Sequence, residues 1–204
     1  MKKLILLLLP VLCLAGCAKT VQVHNPDVLS AVVVSSADSI TAKNAYIGLT
    51  ESSAATLTAD KTDSVQNLSN YDIIYVDKSV KQLEDFNAQT VQECASNGAF
   101  VFLDNEVYDL FDKDFIGASD FVTVNGCPAD MLYPASETDG IKKIQSLLRD
   151  FCYLYKGYAN FDLLSAQSYG VGVVPSTAQC IAEKDGAGIY TINEYGDGLV
   201  FFTN

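Results

Sequence analysis

The segment 71–104 constrains the fold of this chain more than any other. YDIIYVD at 71–77 and GAFVFLD at 98–104 are short apolar runs, typical of buried strands. Between them, apolar residues recur near helical spacing over 79–96, and Gly98 follows as a helix stop. A strand, a helix and a strand joined by short links predict a βαβ unit, and therefore an α/β domain with parallel strands.

Other apolar segments predict further strands and helices of the same domain. Strands are expected at 29–36 and 121–126, where β-branched residues are frequent. Helices are expected at 51–60, on weak periodicity, and at 141–158, where apolar residues recur at spacings of three and four.

The end of the chain differs in kind from the rest. AQCIAEK, GIYTINEY and LVFFTN alternate apolar and polar residues, and Gly–Asp turns at 184–186 and 196–198 separate them. Such turns join antiparallel strands, so the segment predicts a three-strand meander. Because an apolar strand runs almost to Asn204, we expect the native chain to continue into a further domain.

Residues 1–17 predict export and lipid attachment. A cationic start precedes an apolar run over 4–14, which is shorter than the roughly 20 residues of a membrane-spanning helix. LAGC at 14–17 resembles the lipobox of bacterial lipoproteins, which implies cleavage before Cys17 and acylation of that residue. Several acyl chains would anchor the protein stably to the lipid bilayer.

The expected organisation follows from this lipobox. Residues 1–16 form the signal peptide, 17–27 the lipidated cysteine and its tether, and 28–204 a single extracytoplasmic domain. Ala18 stands where an Asp would resemble an inner-membrane retention signal, so we expect the outer membrane in a bacterium that has two.

Charge and residue inventory exclude several functions. The net charge of −12 disfavours nucleic acid as a partner. The only histidine, His24, lies in the predicted tether, which excludes histidine-based triads and histidine metal sites in the domain. Gly170-Val171-Gly172 lacks the third glycine of a dinucleotide fingerprint, and no cofactor is expected.

The cysteines of the predicted domain leave two interpretations open. In an oxidising compartment, four cysteines allow two disulfides in three pairings. Apolar surroundings predicted for three of them equally allow buried free thiols. No C-x-x-C pair points to structural zinc. The four are Cys94, Cys127, Cys152 and Cys180.

The order of these segments resembles the class I glutamine-amidotransferase-like fold of the flavodoxin type. The strand at 29–36, the βαβ unit and IYTINEYGDGLVFFT carry the resemblance over about residues 28–203. It implies a three-layer α/β sandwich with a mostly parallel central sheet and a C-terminal antiparallel meander. The non-catalytic domains of that superfamily, found beside glycosidases and in envelope proteins, end with a Y-G-x-G turn and an apolar strand, as 195–202 does here.

Catalytic members of the superfamily place a nucleophilic Cys in the turn after a central strand. The matching turn here follows 101–103 and holds Asp104, Asn105 and Glu106, without Cys or Ser. The resemblance therefore implies a catalytically degenerate domain. Such a domain would bind or scaffold in the cell envelope, with glycan or protein partners.

The same turn offers candidate ligand-binding residues. Asp77 and Asp104 follow neighbouring predicted strands, at the edge where α/β sheets bind ligands, and Asn105 and Glu106 lie beside them. The alternative function is a carboxylate- or metal-dependent hydrolase acting on envelope glycans or peptides. A structural interpretation is that Asp104 or Asn105 caps a helix beginning near Glu106. The sequence favours capping, no metal site and a non-catalytic domain.

Overall fold

The structure, a computed structural model, describes residues 29–43, 57–125, 130–131 and 170–203. The described strands are β1 (Leu29–Val34), β2 (Leu57–Thr62), β3 (Ile73–Val76), β4 (Phe100–Asp104), β5 (Ala118–Thr123), β6 (Asp130–Met131), β7 (Val171–Pro175), β8 (Gln179–Lys184), β9 (Ala187–Tyr195) and β10 (Gly198–Thr203). The described helices include α1 (Ala88–Ser96), α2 (Lys113–Ile116) and 3-10 helices at Leu68–Asn70, Lys78–Gln82 and Asn105–Leu110.

The described strands form one mixed sheet. Its main path is β2-β1-β3-β4-β10-β9-β7-β5, while β8 pairs with β9 and β6 pairs with β8. The strands β2, β1, β3, β4 and β10, which are consecutive on this path, are parallel to one another. All other strand pairs are antiparallel. The predicted α/β fold with parallel strands and a C-terminal antiparallel meander is confirmed.

The inner parallel strands, β1, β3, β4 and β10, are buried on both faces, which explains their nearly continuous apolar runs. Because side chains alternate along a strand, each strand contributes to both faces. The face toward α1 carries Val32, Val34, Ile74, Val76, Val101, Leu103, Val200 and Phe202. The opposite face carries Ala31, Val33, Ile73, Tyr75, Phe100, Phe102, Leu199 and Phe201, all buried.

The predicted βαβ unit is present, with a shorter helix than expected. The strands β3 and β4 are parallel neighbours, paired with Ile73 opposite Phe100. The segment between them begins as the 3-10 helix Lys78–Gln82, and α1 begins only at Ala88. Asp77 terminates the strand and starts the 3-10 turn by accepting a hydrogen bond from Ser79 N, so the helix expected over 79–96 divides into two.

The Tyr195–Gly198 turn joins the two halves of the sheet and docks on the end of α1. Gly196 has a φ of 59°, and Asp197 N donates to Ser96 O at 3.1 Å. A Cβ on Gly198 would collide with the carbonyl oxygens of Ala95 and Ala99. Glycine is therefore required at the point where β10 enters the sheet beside β4.

Several expectations need correction. The helix expected at 51–60 is wrong for its described part, because β2 begins at Leu57 and pairs with β1. The sequence pattern does not predict the strand β7, which pairs with β5 and β9. The strand expected at 121–126 begins earlier, at Ala118, and ends at Thr123. The long helix expected at 141–158 lies outside the described residues.

The predicted signal peptide, lipidated Cys17 and tether also lie outside the described residues. Residues 1–28, which include the lipobox and Cys17, are not among those that the structure describes. Within the described ranges, no helix is both long and apolar enough to cross a membrane.

Candidate functional site

Three polar residues occupy equivalent positions at the carboxyl ends of β1, β3 and β4. Val34 pairs with Val76, and Val76 with Leu103, so the next residue of each strand is Ser35, Asp77 or Asp104. The sheet hydrogen bonding continues to this level, since Asp77 N donates to Val34 O at 3.1 Å. We name Ser35, Asp77 and Asp104 the carboxyl-edge row.

The row lies on the sheet face opposite α1. Val34, Val76 and Leu103 belong to the cluster that packs against α1. Asp77 and Asp104 keep extended backbones, with ψ of 149° and 138°, so strand alternation places their side chains on the other face. This edge is where open α/β sheets bind ligands.

Asp77 is the most deeply buried carboxylate of the row. It has no exposed surface, and its Oδ1 accepts from Ser79 N at 2.9 Å. Its Oδ2 is buried without a hydrogen-bond partner in the described part of the chain, and so is the Oγ of Ser35. Burying such groups unsatisfied costs free energy, and the fold alone does not explain it.

Asp104 caps the helix that follows β4. Its Oδ1 accepts from Glu106 N at 3.0 Å, at the start of the 3-10 helix Asn105–Leu110. The capping interpretation is confirmed: Asp104 rather than Asn105 makes the cap, and the helix is 3-10. Burial raises the pKa of Asp104, against the opposing effects of the Glu106 N–H and the Lys78 ammonium.

Glu106 lies outside the row, in an ion pair on the surface. Its carboxylate is 2.7 Å from Lys78 Nζ, and the two side chains are 58% and 44% exposed. The hydrogen bond to Glu106 raises the pKa of Lys78. A second pair, Lys81 with Asp109 at 2.6 Å, also joins the two 3-10 helices.

Asn105 is buried beneath the same edge. It is 5% exposed, and a Cβ added to Gly170 would lie 3.9 Å from its Nδ2. The structure therefore brings Asp77, Asp104 and Asn105 to one edge of the sheet, and gives Glu106 a different partner.

In the described part of the chain, neither a histidine base nor a three-residue metal cluster accompanies the row. The turn after β4 contains neither Ser nor Cys, and the only histidine of the sequence is His24, outside the described residues. Across the ranges that the structure describes, no three His, Cys, Asp or Glu side chains are grouped to hold a metal ion.

Sequence reasoning missed Ser35. The signal was present, because Ser35 directly follows the apolar strand just as Asp77 follows YDIIYV. Only the register of β1 against β3 reveals that the two residues are neighbours.

The described cysteines are free thiols. Cys94 is buried and Cys180 partly buried, and neither forms a disulfide. Burial raises the pKa of both thiols, which favours the unreactive protonated form. The free-thiol interpretation is confirmed for these two, while Cys127 and Cys152 lie outside the described residues.

A groove of about 340 Å³ lies at the start of α1. Its polar side chains are already paired: Asn87 accepts from Gln89 N at 3.0 Å, and Gln92 and Asp112 exchange hydrogen bonds of 2.9 and 3.1 Å. The groove therefore offers a ligand fewer unsatisfied groups than the carboxyl-edge row.

Comparisons with known proteins support the fold. No protein-family model and no curated protein sequence matches the chain. Cytoplasmic protein STM1381 from Salmonella typhimurium LT2 is similar in structure, with a TM-score of 0.50 and 10% identity over 86% of this chain and 87% of that one. At this identity the likeness concerns the fold alone, a mixed α/β fold.

Two further structures are similar over most of the chain. β-Galactosidase from Bacillus circulans sp. alkalophilus has a TM-score of 0.47 and 14% identity over 87% of this chain. The match spans only 28% of that enzyme. A putative ThuA-like protein from Parabacteroides merdae ATCC 43184 has a TM-score of 0.44 and 11% identity, over 86% of this chain and 78% of that one.

Proposed function

We propose that this chain is a lipid-anchored extracytoplasmic protein whose domain binds or scaffolds in the bacterial cell envelope without catalysis. Acylated Cys17 would hold it to the bilayer, and envelope glycans or proteins would be its partners. We also propose the three-layer, amidotransferase-like architecture, which the burial of both sheet faces supports.

One observation carries the non-catalytic part of the proposal. In the turn after β4, the side chain of Asp104 accepts a hydrogen bond from Glu106 N and starts a helix. A nucleophile would occupy this turn in an amidotransferase. Here the residue performs a structural task, and Glu106 beside it is paired with Lys78.

Lipid attachment is tested by labelling cells that express the full chain with radioactive palmitate. Wild type should incorporate label and sediment with membranes, whereas Cys17→Ser should do neither. The matched control is Cys13→Ser, which changes a cysteine of the predicted signal peptide and should still be labelled. Equal labelling of Cys17→Ser and wild type would refute the anchor.

Binding without turnover is tested on isolated envelope glycan and on envelope peptides. The full chain in mild detergent should co-sediment with the glycan, and should release neither reducing ends nor new amino groups. Release of either product at a rate proportional to the protein concentration would contradict the proposal.

A carboxylate-dependent hydrolase is the second candidate, favoured by one feature of the row. Burial raises the pKa of Asp104, and Asp77 lies on the neighbouring strand. Two carboxyl groups in different environments are the usual equipment of general acid–base hydrolysis. Turnover abolished by Asp104→Asn in a variant that still folds would establish this candidate, and turnover that survives the change would exclude it.

A further inference from the structure

The carboxyl-edge row combines unsatisfied hydrogen-bond acceptors with negative charge. Asp77 Oδ2 and Ser35 Oγ have no partner in the described part of the chain, and their residues are 0% and 1% exposed. A carboxylate that is ionised accepts only, and a hydroxyl can also accept. A ligand that satisfies this row must therefore bring donors.

Asp77 lies between the other two residues of the row and next to each of them. The three residues stand at the same level on β1, β3 and β4, and neighbouring strands lie about 4.8 Å apart. Asp104 is half-buried, whereas Ser35 and Asp77 are fully buried, so the row is nearest to solvent at Asp104. A small ligand would enter past Asp104 and reach Asp77 between its two neighbours.

The charge of the row calls for a cation. Asp77 and Asp104 bring two carboxylates, and the ammonium of Lys78, which interacts with both, is bonded to Glu106 at 2.7 Å. Ca²⁺ takes about six to eight oxygen ligands, and within the described ranges no three His, Cys, Asp or Glu side chains are grouped to supply them. An ammonium group instead carries one positive charge and three donors.

We propose that Ser35, Asp77 and Asp104 bind the ammonium head of a small primary amine. This inference rests on the proposed function as a binding protein and names the chemistry that its carboxyl edge recognises. The amine would donate a hydrogen bond to Asp77 Oδ2 and a second one to a neighbouring row residue, and its positive charge would balance the negative charge of Asp77 where the carboxylate is buried.

The test is thermal unfolding of the full chain in mild detergent, with methylammonium chloride titrated against equal concentrations of potassium chloride. For wild type, a methylammonium concentration of 100 Kd should raise Tm by roughly 5–10 °C. Asp77→Asn keeps the Oδ1 acceptor but replaces Oδ2 by a donor, so it should weaken binding about tenfold or more. Asp109→Asn, an exposed carboxylate on the neighbouring 3-10 helix, should bind as wild type does.

A third variant changes affinity in the opposite direction. Lys78→Met removes a positive charge that interacts with both carboxylates of the row, so methylammonium should bind more tightly to this variant than to wild type. An equal Tm rise with potassium, an absent rise in wild type, or undiminished binding by Asp77→Asn would each overturn the proposal. Co-sedimentation with envelope glycan and palmitate labelling are measured separately, so failure of amine binding is distinguishable from failure of the proposed binding function and of the lipid anchor.

Discussion

The two edges of the parallel sheet are built in opposite ways. At the amino edge, the Tyr195–Gly198 turn packs backbone against backbone on the end of α1, and Gly198 has no space for a side chain. At the carboxyl edge, Ser35 and Asp77 carry buried oxygens that the described chain leaves without partners. The amino edge is optimised for packing, whereas the carboxyl edge keeps a polar group at a cost in stability. Such a cost is typical of a site that serves binding.

The largest effect is expected at the amino edge. In Gly198→Ala, the new methyl group would meet the backbone of Ala95 and Ala99, which cannot move without shifting α1. We expect the free energy of unfolding to fall by about 3 kcal/mol in denaturant titrations. The control is Gly186→Ala, where no atom lies within 4 Å but φ is +82°, so only backbone strain of about 1 kcal/mol is expected. Equal losses would show that packing does not set the cost.

Two serines at the carboxyl edge should respond in opposite directions. Ser79 Oγ accepts from Ser36 N at 2.9 Å, so Ser79→Ala should lower the free energy of unfolding by about 1 kcal/mol. Ser35→Ala removes a buried oxygen that has no partner in the described chain, so it should be neutral or stabilising by up to about 1 kcal/mol. A large loss for Ser35→Ala would mean that this hydroxyl is satisfied in the native protein.

Two substitutions of Asp104, which caps the helix after β4, distinguish the contribution of its hydrogen bond from that of its charge. Asp104→Ala should lower the free energy of unfolding by about 1 kcal/mol, while Asp104→Asn retains a capping oxygen and should cost little. Because burial raises the pKa of Asp104, its contribution to stability is largest below the unfolded pKa of about 3.9 and is lost as pH rises through the folded pKa.

The pH dependence therefore has a definite sign. Urea titrations of wild type and Asp104→Asn from about pH 3 to pH 7 should show the variant gaining stability relative to wild type. A shift in the opposite direction would mean that the Glu106 N–H and Lys78 outweigh burial at this carboxyl.

The smallest effect is expected for the surface ion pair. A double-mutant cycle of Lys78→Ala and Glu106→Ala should give a coupling of about 0.5 kcal/mol, since both side chains are well exposed. The coupling should fall in about 1 M salt and as pH rises through the raised pKa of Lys78. A coupling that persists in salt would mean that this ion pair is shielded from solvent and belongs to the carboxyl-edge site.

The inner parallel strands were predictable because each is buried on both faces. AVVV, IIYV and FVFL carry that burial as unbroken apolar runs, and the Gly–Asp turns mark the meander. The strand β2 carries no such signal, because LTADKT lies at the sheet edge with Thr58, Asp60 and Lys61 exposed. The strand β7 contains Gly172, where a Cβ would crowd Val124 and Ala187, so close packing rather than propensity selects its residues.

The site was predictable only in part, for a related reason. The position of Asp77 and Asp104 after adjacent strands follows from the βαβ pattern, and so does the cap. The place of Ser35 beside Asp77 depends on the register of β1 against β3. Glu106 lies outside the row because it pairs with Lys78, 28 residues away, and no local sequence pattern reports that pairing.

One comparison decides whether the carboxyl edge is a binding site. The free energy of unfolding of Asp77→Asn and of wild type should be measured in sodium buffer and again in methylammonium. We predict that the variant is at least as stable as wild type in sodium, because the amide that replaces Oδ2 carries no charge at this fully buried position. In methylammonium the difference should close or reverse. A variant that is less stable than wild type by the same amount in both buffers would contradict the account.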